Sequence, residues 1–145
     1  MEKLIYLIED DHLMRFTLEK HIRKLKNVRL IIFDDPFELI KASINHPPEI
    51  LLLDFKIRSK NRNFLADEII YHLNRVDAQI PTVVFSGLNS KILEMNLLRQ
   101  GVFEYISKNE DDFLNKIKLS ILKILDWIKK TKTRELIKIN HWQYN

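Results

Sequence analysis

The run Glu49-Ile50-Leu51-Leu52-Leu53-Asp54 places four apolar residues directly before a carboxylate. Other apolar runs end the same way: Glu9 and Asp10 close the first, Ser86 closes the fourth, and Lys108 stands just past the fifth. Along the chain Asp10, Asp54, Ser86 and Lys108 are 44, 32 and 22 residues apart. Gathered at one place they define a chemistry. The carboxylates of Glu9, Asp10 and Asp54 would repel one another, and a hard divalent cation relieves that repulsion. Mg²⁺ prefers oxygen ligands and keeps waters, which leaves room for a phosphate oxygen. The ion and the Lys108 ammonium would neutralise charge developing on a transferring phosphoryl group. The Ser86 hydroxyl can donate to a phosphoryl oxygen. Asp54 is left as a nucleophile able to form an acyl phosphate.

Five short apolar runs, alternating with five stretches of helical spacing, would position these groups. Strands are predicted over residues 4–8, 28–33, 50–54, 81–86 and 102–107. The third, apolar throughout, suits a central parallel strand buried on both faces. The first helix runs from His12 to Leu25, with Met14, Leu18, Ile22 and Leu25 on its core stripe. The second begins at Asp35-Pro36-Phe37-Glu38, with Asp35 as N-cap, Pro36 in the first turn and Glu38 closing a capping box. The third carries Leu65, Ile69, Ile70 and Leu73, and the fourth runs from about Ser90 to Gln100, with Gly101 at its C-terminal cap. Asn109 is expected to cap a fifth helix whose first turn is Glu110-Asp111-Asp112 and whose apolar face includes Leu114, Ile117, Ile121, Leu125 and Ile128. Residues 55–63 between the third strand and third helix form a polar, strongly basic loop. Strict alternation implies an α/β fold, a parallel sheet with helices on both faces. The C-terminal strand ends then share the edge where such sheets bind ligands.

Composition narrows the setting. The chain is 46% hydrophobic and 30% charged, as for a globular domain with a sizeable core. It has no cysteine, which excludes a disulfide frame, a thiol nucleophile and a cysteine-bound metal. No apolar run approaches the ~18–20 residues that span a bilayer, and the N-terminus lacks the layout of a signal peptide. A cytoplasmic protein is expected. A net charge of +4, from 24 basic and 20 acidic residues, does not call for nucleic acid. The chain divides into a domain over 1–130 and a segment over 131–145 that extends the last helix or forms a tail.

The motifs Ile8-Glu9-Asp10-Asp11, Leu52-Leu53-Asp54, Phe85-Ser86-Gly87 and Tyr105-Ile106-Ser107-Lys108 resemble, in order and spacing, the receiver domain of two-component response regulators. The likeness runs from about Leu4 to about Ile128. It implies a flavodoxin-like, doubly wound (βα)₅ fold with strand order 2-1-3-4-5. It implies phosphoryl transfer to Asp54 from a histidine kinase or a histidine phosphotransfer protein. Mg²⁺ would be held by Asp10, Asp54 and the Lys56 carbonyl, with Glu9 acting mainly through a metal-bound water and Asp11 orienting waters. Ser86 and Tyr105 occupy the switch positions, and the fourth helix, fifth strand and fifth helix would form the readout surface. Lys56, two residues past Asp54, would overlook the phosphoryl group and shield it from water.

The chain departs from that pattern in two places. Asn109 follows Lys108 where the family usually has a cis proline, so a trans bond is expected. The loop after Asp54 carries no glycine and looks slightly lengthened. Taken singly, the same residues have plainer readings: Asp11 as a helix cap, Ser86 as a turn hydroxyl, Lys108 as a surface charge. The five histidines (His12, His21, His46, His72, His141) show no metal-ligand spacing and are read as surface, with His12 bordering the pocket. Trp127 and Trp142 could cover a partner surface. The resemblance points to a single-domain response regulator, not a metabolic enzyme, that signals through phosphorylation-dependent contact with another protein or serves as a phosphorelay intermediate. Homodimerisation through the fourth and fifth helices or the long last helix is a further option. The alternative is a pseudo-receiver that binds partners without phosphotransfer. An aspartyl phosphatase is disfavoured because Lys56 stands where that signature wants aspartate, and a flavin carrier because no phosphate-cradling loop follows the first strand.

Overall fold

Ile50–Asp54 forms the central strand of a five-stranded parallel sheet and is buried along its whole length. The computed structural model describes residues 1–60 and 62–144, without the side chains of 141–144. The readings of His141 and Trp142 therefore lie outside the described residues. In chain order the elements are β1 (Lys3–Ile8), α1 (His12–Ile22), β2 (Val28–Phe33), α2 (Pro36–Asn45), β3 (Ile50–Asp54), β4 (Lys56–Arg58) and β5 (Asn63–Leu65). There follow α3 (Ala66–Arg75), β6 (Thr82–Ser86), α4 (Lys91–Arg99), β7 (Glu104–Ser107) and α5 (Phe113–Tyr144). The sheet order is β2-β1-β3-β6-β7. With the small β4–β5 pair set aside this is the expected 2-1-3-4-5 arrangement.

Alternation along β3 divides the core into two layers. Leu51 and Leu53 pack with Leu39, Ile69, Leu73 and Leu97 from α2, α3 and α4. Ile50 and Leu52 pack on the other face with Leu18 and Ile22 of α1 and Ile117, Ile121 and Ile124 of α5. All of these side chains are nearly or wholly removed from water, each contributing on the order of 1.5–3 kcal/mol to the apolar driving force. The register aligns the strand ends: Ile8 lies beside Leu53, Asp54 beside Phe85, and Ser86 beside Ser107.

Several local expectations are corrected. Residues 55–63 are not simply a loop. Lys56–Arg58 and Asn63–Leu65 pair antiparallel, with Ile57 and Phe64 buried and their neighbours exposed. Asp35 caps α2 by accepting from the Phe37 N–H at 2.9 Å, not through a box with Glu38. β7 starts at Glu104, and α1 ends at Ile22. Asn109 does not cap α5, which begins at Phe113. Its side chain instead donates to the Gly87 carbonyl at 2.6 Å, tying the β7–α5 turn to the β6–α4 turn. Gly101 follows α4 with φ +97°, a conformation that side chains with a Cβ rarely adopt. All described peptide bonds, including Lys108–Asn109, are trans.

Candidate functional site

β1, β3 and β7 deliver their acid and base groups to one edge. Glu9 and Asp10 follow the last residue of β1, Asp54 is the last residue of β3, and Lys108 follows β7, its N–H donating to the Ser86 carbonyl at 2.8 Å. Oxygens of Glu9, Asp10 and Asp54 lie within 4.8 Å of one another. The Lys108 ammonium stands 2.7 Å from Glu9 Oε2 and 3.1 Å from Asp54 Oδ2, with the Phe85 ring 5.4 Å beneath it. Glu9 is 1% exposed and Asp54 5%, so these charges face each other largely without water between them.

That seclusion sets the proton affinities. Burial pushes the Asp54 carboxyl up to about 7; the Glu9 charge adds to the rise, and Lys108 opposes it. Burial works to lower the Lys108 ammonium, but its contacts with Glu9 and Asp54 outweigh that and hold it above the usual lysine range. Glu9 Oε2 is buried against the Lys108 ammonium, an ion pair at 2.7 Å. A hard cation suits this donor set, three clustered carboxylates beside a single ammonium.

The remaining candidates surround this centre. Lys56 is exposed and, with Asp10, Asp11, His12 and Arg58, lines a cavity of about 370 Å³ that opens at the acids. Asp11 serves as the cap of α1, accepting from the Met14 N–H at 2.8 Å, while its own N–H donates to Glu9 Oε1 at 3.0 Å. Ser86 is buried and its Oγ accepts from the Leu88 N–H at 3.0 Å. The Tyr105 hydroxyl donates to the carbonyl of the same residue, Leu88. Both switch candidates thus grip one turn. His12, His21, His46 and His72 are exposed.

One residue escaped the sequence reading. The Arg58 N–H donates to Asp10 Oδ2 at 3.1 Å, and its Nε lies 3.9 Å from the same oxygen. A larger cavity of about 420 Å³ lies at the other edge of the sheet, between the ends of α3 and α4 and Trp127. Its lining carries no ionisable side chain, so the acid chemistry belongs to the smaller one.

No protein-family profile matches the sequence, and no curated protein sequence matches it. Solved structures do. The chain is similar to the structure described as the signal receiver domain of the Luxo repressor protein from Vibrio parahaemolyticus, with TM-score 0.79 and 16% identity over 94% of this chain and 98% of that one. It is similar to the receiver domain of the Francisella response regulator 1452, with TM-score 0.73 and 13% identity over 90% of this chain and 99% of that one. The response regulator domain of Thermotoga maritima CheB gives TM-score 0.71 and 16% identity over 87% and 96%. The chain has the receiver-domain fold.

Proposed function

We propose that this receiver fold accepts a phosphoryl group on Asp54 from a histidine kinase or a histidine phosphotransfer protein, and signals by a phosphorylation-dependent contact with another protein. The observation that supports it best is the Lys108 ammonium lying 2.7 and 3.1 Å from Glu9 and Asp54 beside a third carboxylate, Asp10. In the transfer an Asp54 oxygen attacks phosphorus. The P–O bond forms as the P–N bond to the donor imidazole breaks, and the electron pair leaves with that nitrogen. Glu9, Asp10, Asp54 and the Lys56 carbonyl would hold Mg²⁺, which supplies charge to offset the phosphoryl oxygens and to keep Asp54 ionised. Lys108 adds a fixed positive charge on the same group. Ser86 would donate to a phosphoryl oxygen once its bond from Leu88 is given up. Tyr105, bonded to the same Leu88, would follow, giving a two-state element at the β6–α4 turn. Lys56 overlooks the site as a shield against water. On this reading residues 1–130 form a cytoplasmic receiver, and the last helix extends past them to Tyr144. The domain promotes its own phosphorylation and dephosphorylation without acting as a metabolic enzyme.

Two observations favour a second reading, a phosphorylation-independent binding module: Arg58 already engages Asp10, and Asn109 replaces the expected proline while bonding Gly87. One experiment decides. Incubation with acetyl phosphate and Mg²⁺ should raise the intact mass by one phosphoryl group, and Asp54→Asn should abolish the gain. No gain in the wild-type chain selects the binding module.

A further inference from the structure

Lys108 neutralises two of the three clustered acids, Glu9 and Asp54, and leaves Asp10 to another cation. Among the described residues the cation that reaches it is Arg58, whose guanidinium Nε lies 3.9 Å from Asp10 Oδ2, beside a separate backbone N–H bond to the same oxygen. We propose that the Arg58 guanidinium is the resting counter-ion of Asp10, displaced into solvent when a divalent cation binds, so that this side chain competes with the cation for the acid site. The inference rests on the cation site of the reading above and extends it to a residue that no likeness supplies.

The hairpin is built for this division of labour. Its base is fixed: Phe55 N–H donates to Phe85 O at 2.9 Å, Ala66 N–H donates to Phe55 O at 2.8 Å, and Ile57 and Phe64 are buried. Its two arginines differ. Arg62 is pinned, with guanidinium nitrogens 2.8 and 3.1 Å from Glu68 and its carbon 3.7 Å above the Phe64 ring. Arg58 has no such anchor. Its side chain is 84% exposed, so the guanidinium can leave Asp10 without disturbing any packing. A divalent ion brings twice the positive charge to the same carboxylate, and two cations cannot share it at close range without repulsion. Because the Arg58 pair is exposed, its competition is modest, about 2- to 5-fold in cation affinity.

The test is calorimetric titration of Mg²⁺ into the phosphate-free chain, with Arg58→Ala, Lys60→Ala and Asp10→Asn beside the wild type. Arg58→Ala should tighten binding about 2- to 5-fold, whereas Lys60→Ala, which removes an equal charge from the same hairpin, should do so by less than half as much. The Nε–H resonance of Arg58 should shift with the Mg²⁺ titration while that of Arg62 stays in place. An Arg58→Ala variant no tighter than Lys60→Ala, or an unmoved Arg58 resonance at saturation, overturns the proposal alone. Absence of any saturable binding that Asp10→Asn removes overturns it together with the reading beneath it.

Discussion

Asp54 carries a cost in the folded state that a pH series should expose. Burial and Glu9 hold its carboxyl near 7, while in an unfolded chain the same group loses its proton near 3.8. Between those values the native state binds more protons than the unfolded one. Its stability contribution is therefore greatest at the acid end of the window and is lost as the pH rises toward 7. Asp54→Asn removes the titration. In EDTA, the stability advantage of this variant over wild type should widen by about 2–3 kcal/mol between pH 5 and 8, at about 1.4 kcal/mol for each pH unit below the native value. Urea midpoints at four pH values measure it, and a constant gap would show that Asp54 is ionised throughout. Lys108 acts in the same sense but in a higher pH window. Its raised affinity means that its contribution is present at neutral pH and fades only above the ordinary lysine range. Much of this site could be read from sequence because its side chains stand at strand ends, where a parallel sheet must collect them. Arg58 could not, because its closest contact with Asp10 uses a backbone N–H that nearly any residue type would offer.

The elements themselves were legible where the pattern was long. The five sheet strands and five helices follow from apolar runs and helical spacing, and their boundaries shifted by only a few residues. The β4–β5 hairpin was not legible, for a physical reason. Three residues on each side show one buried position apiece, Ile57 and Phe64, too little to establish a period of two. The turn between them also lacks the Asn-Gly or Asp-Gly pair that marks a tight hairpin. Tertiary packing supplies the missing specification. Phe64 is 1% exposed, meets Phe37 of α2 edge-on at 5.0 Å and lies under Arg62. Phe64→Ala should therefore cost about 3–5 kcal/mol in chemical denaturation, the range for emptying a buried aromatic site. Amide exchange should quicken over residues 56–65 beyond the global change. An unaltered midpoint would mean that the hairpin is held by backbone pairing alone.

At the scale of the whole molecule, charge and burial divide the chain at the same place. Residues 129–145 contain five basic residues and one acidic one, and residues 1–128 contain 19 of each, so the entire formal +4 resides in the C-terminal segment. There α5 leaves the core. Ile121 and Ile124 are fully buried, yet Leu136, Ile137 and Ile139 are 61%, 62% and 53% exposed and every residue from Lys132 to Asn140 faces water. The exposed end of α5 has no packing to hold it and must rely on propensity alone, and a stretch this short is marginal in water, where isolated helices under about 12–15 residues barely form. In a dilute monomer the amides of 132–140 should therefore exchange within seconds, while those of 117–128, packed on β1, β3 and β6, remain protected. A chain ending at Lys130 should keep its Tm within about 2 °C, because none of the described residues removed belongs to the core. Protection of 132–140 that strengthens with protein concentration would place a second copy against those exposed side chains, and sedimentation velocity at the same concentrations would then show a dimer that the shortened chain cannot form.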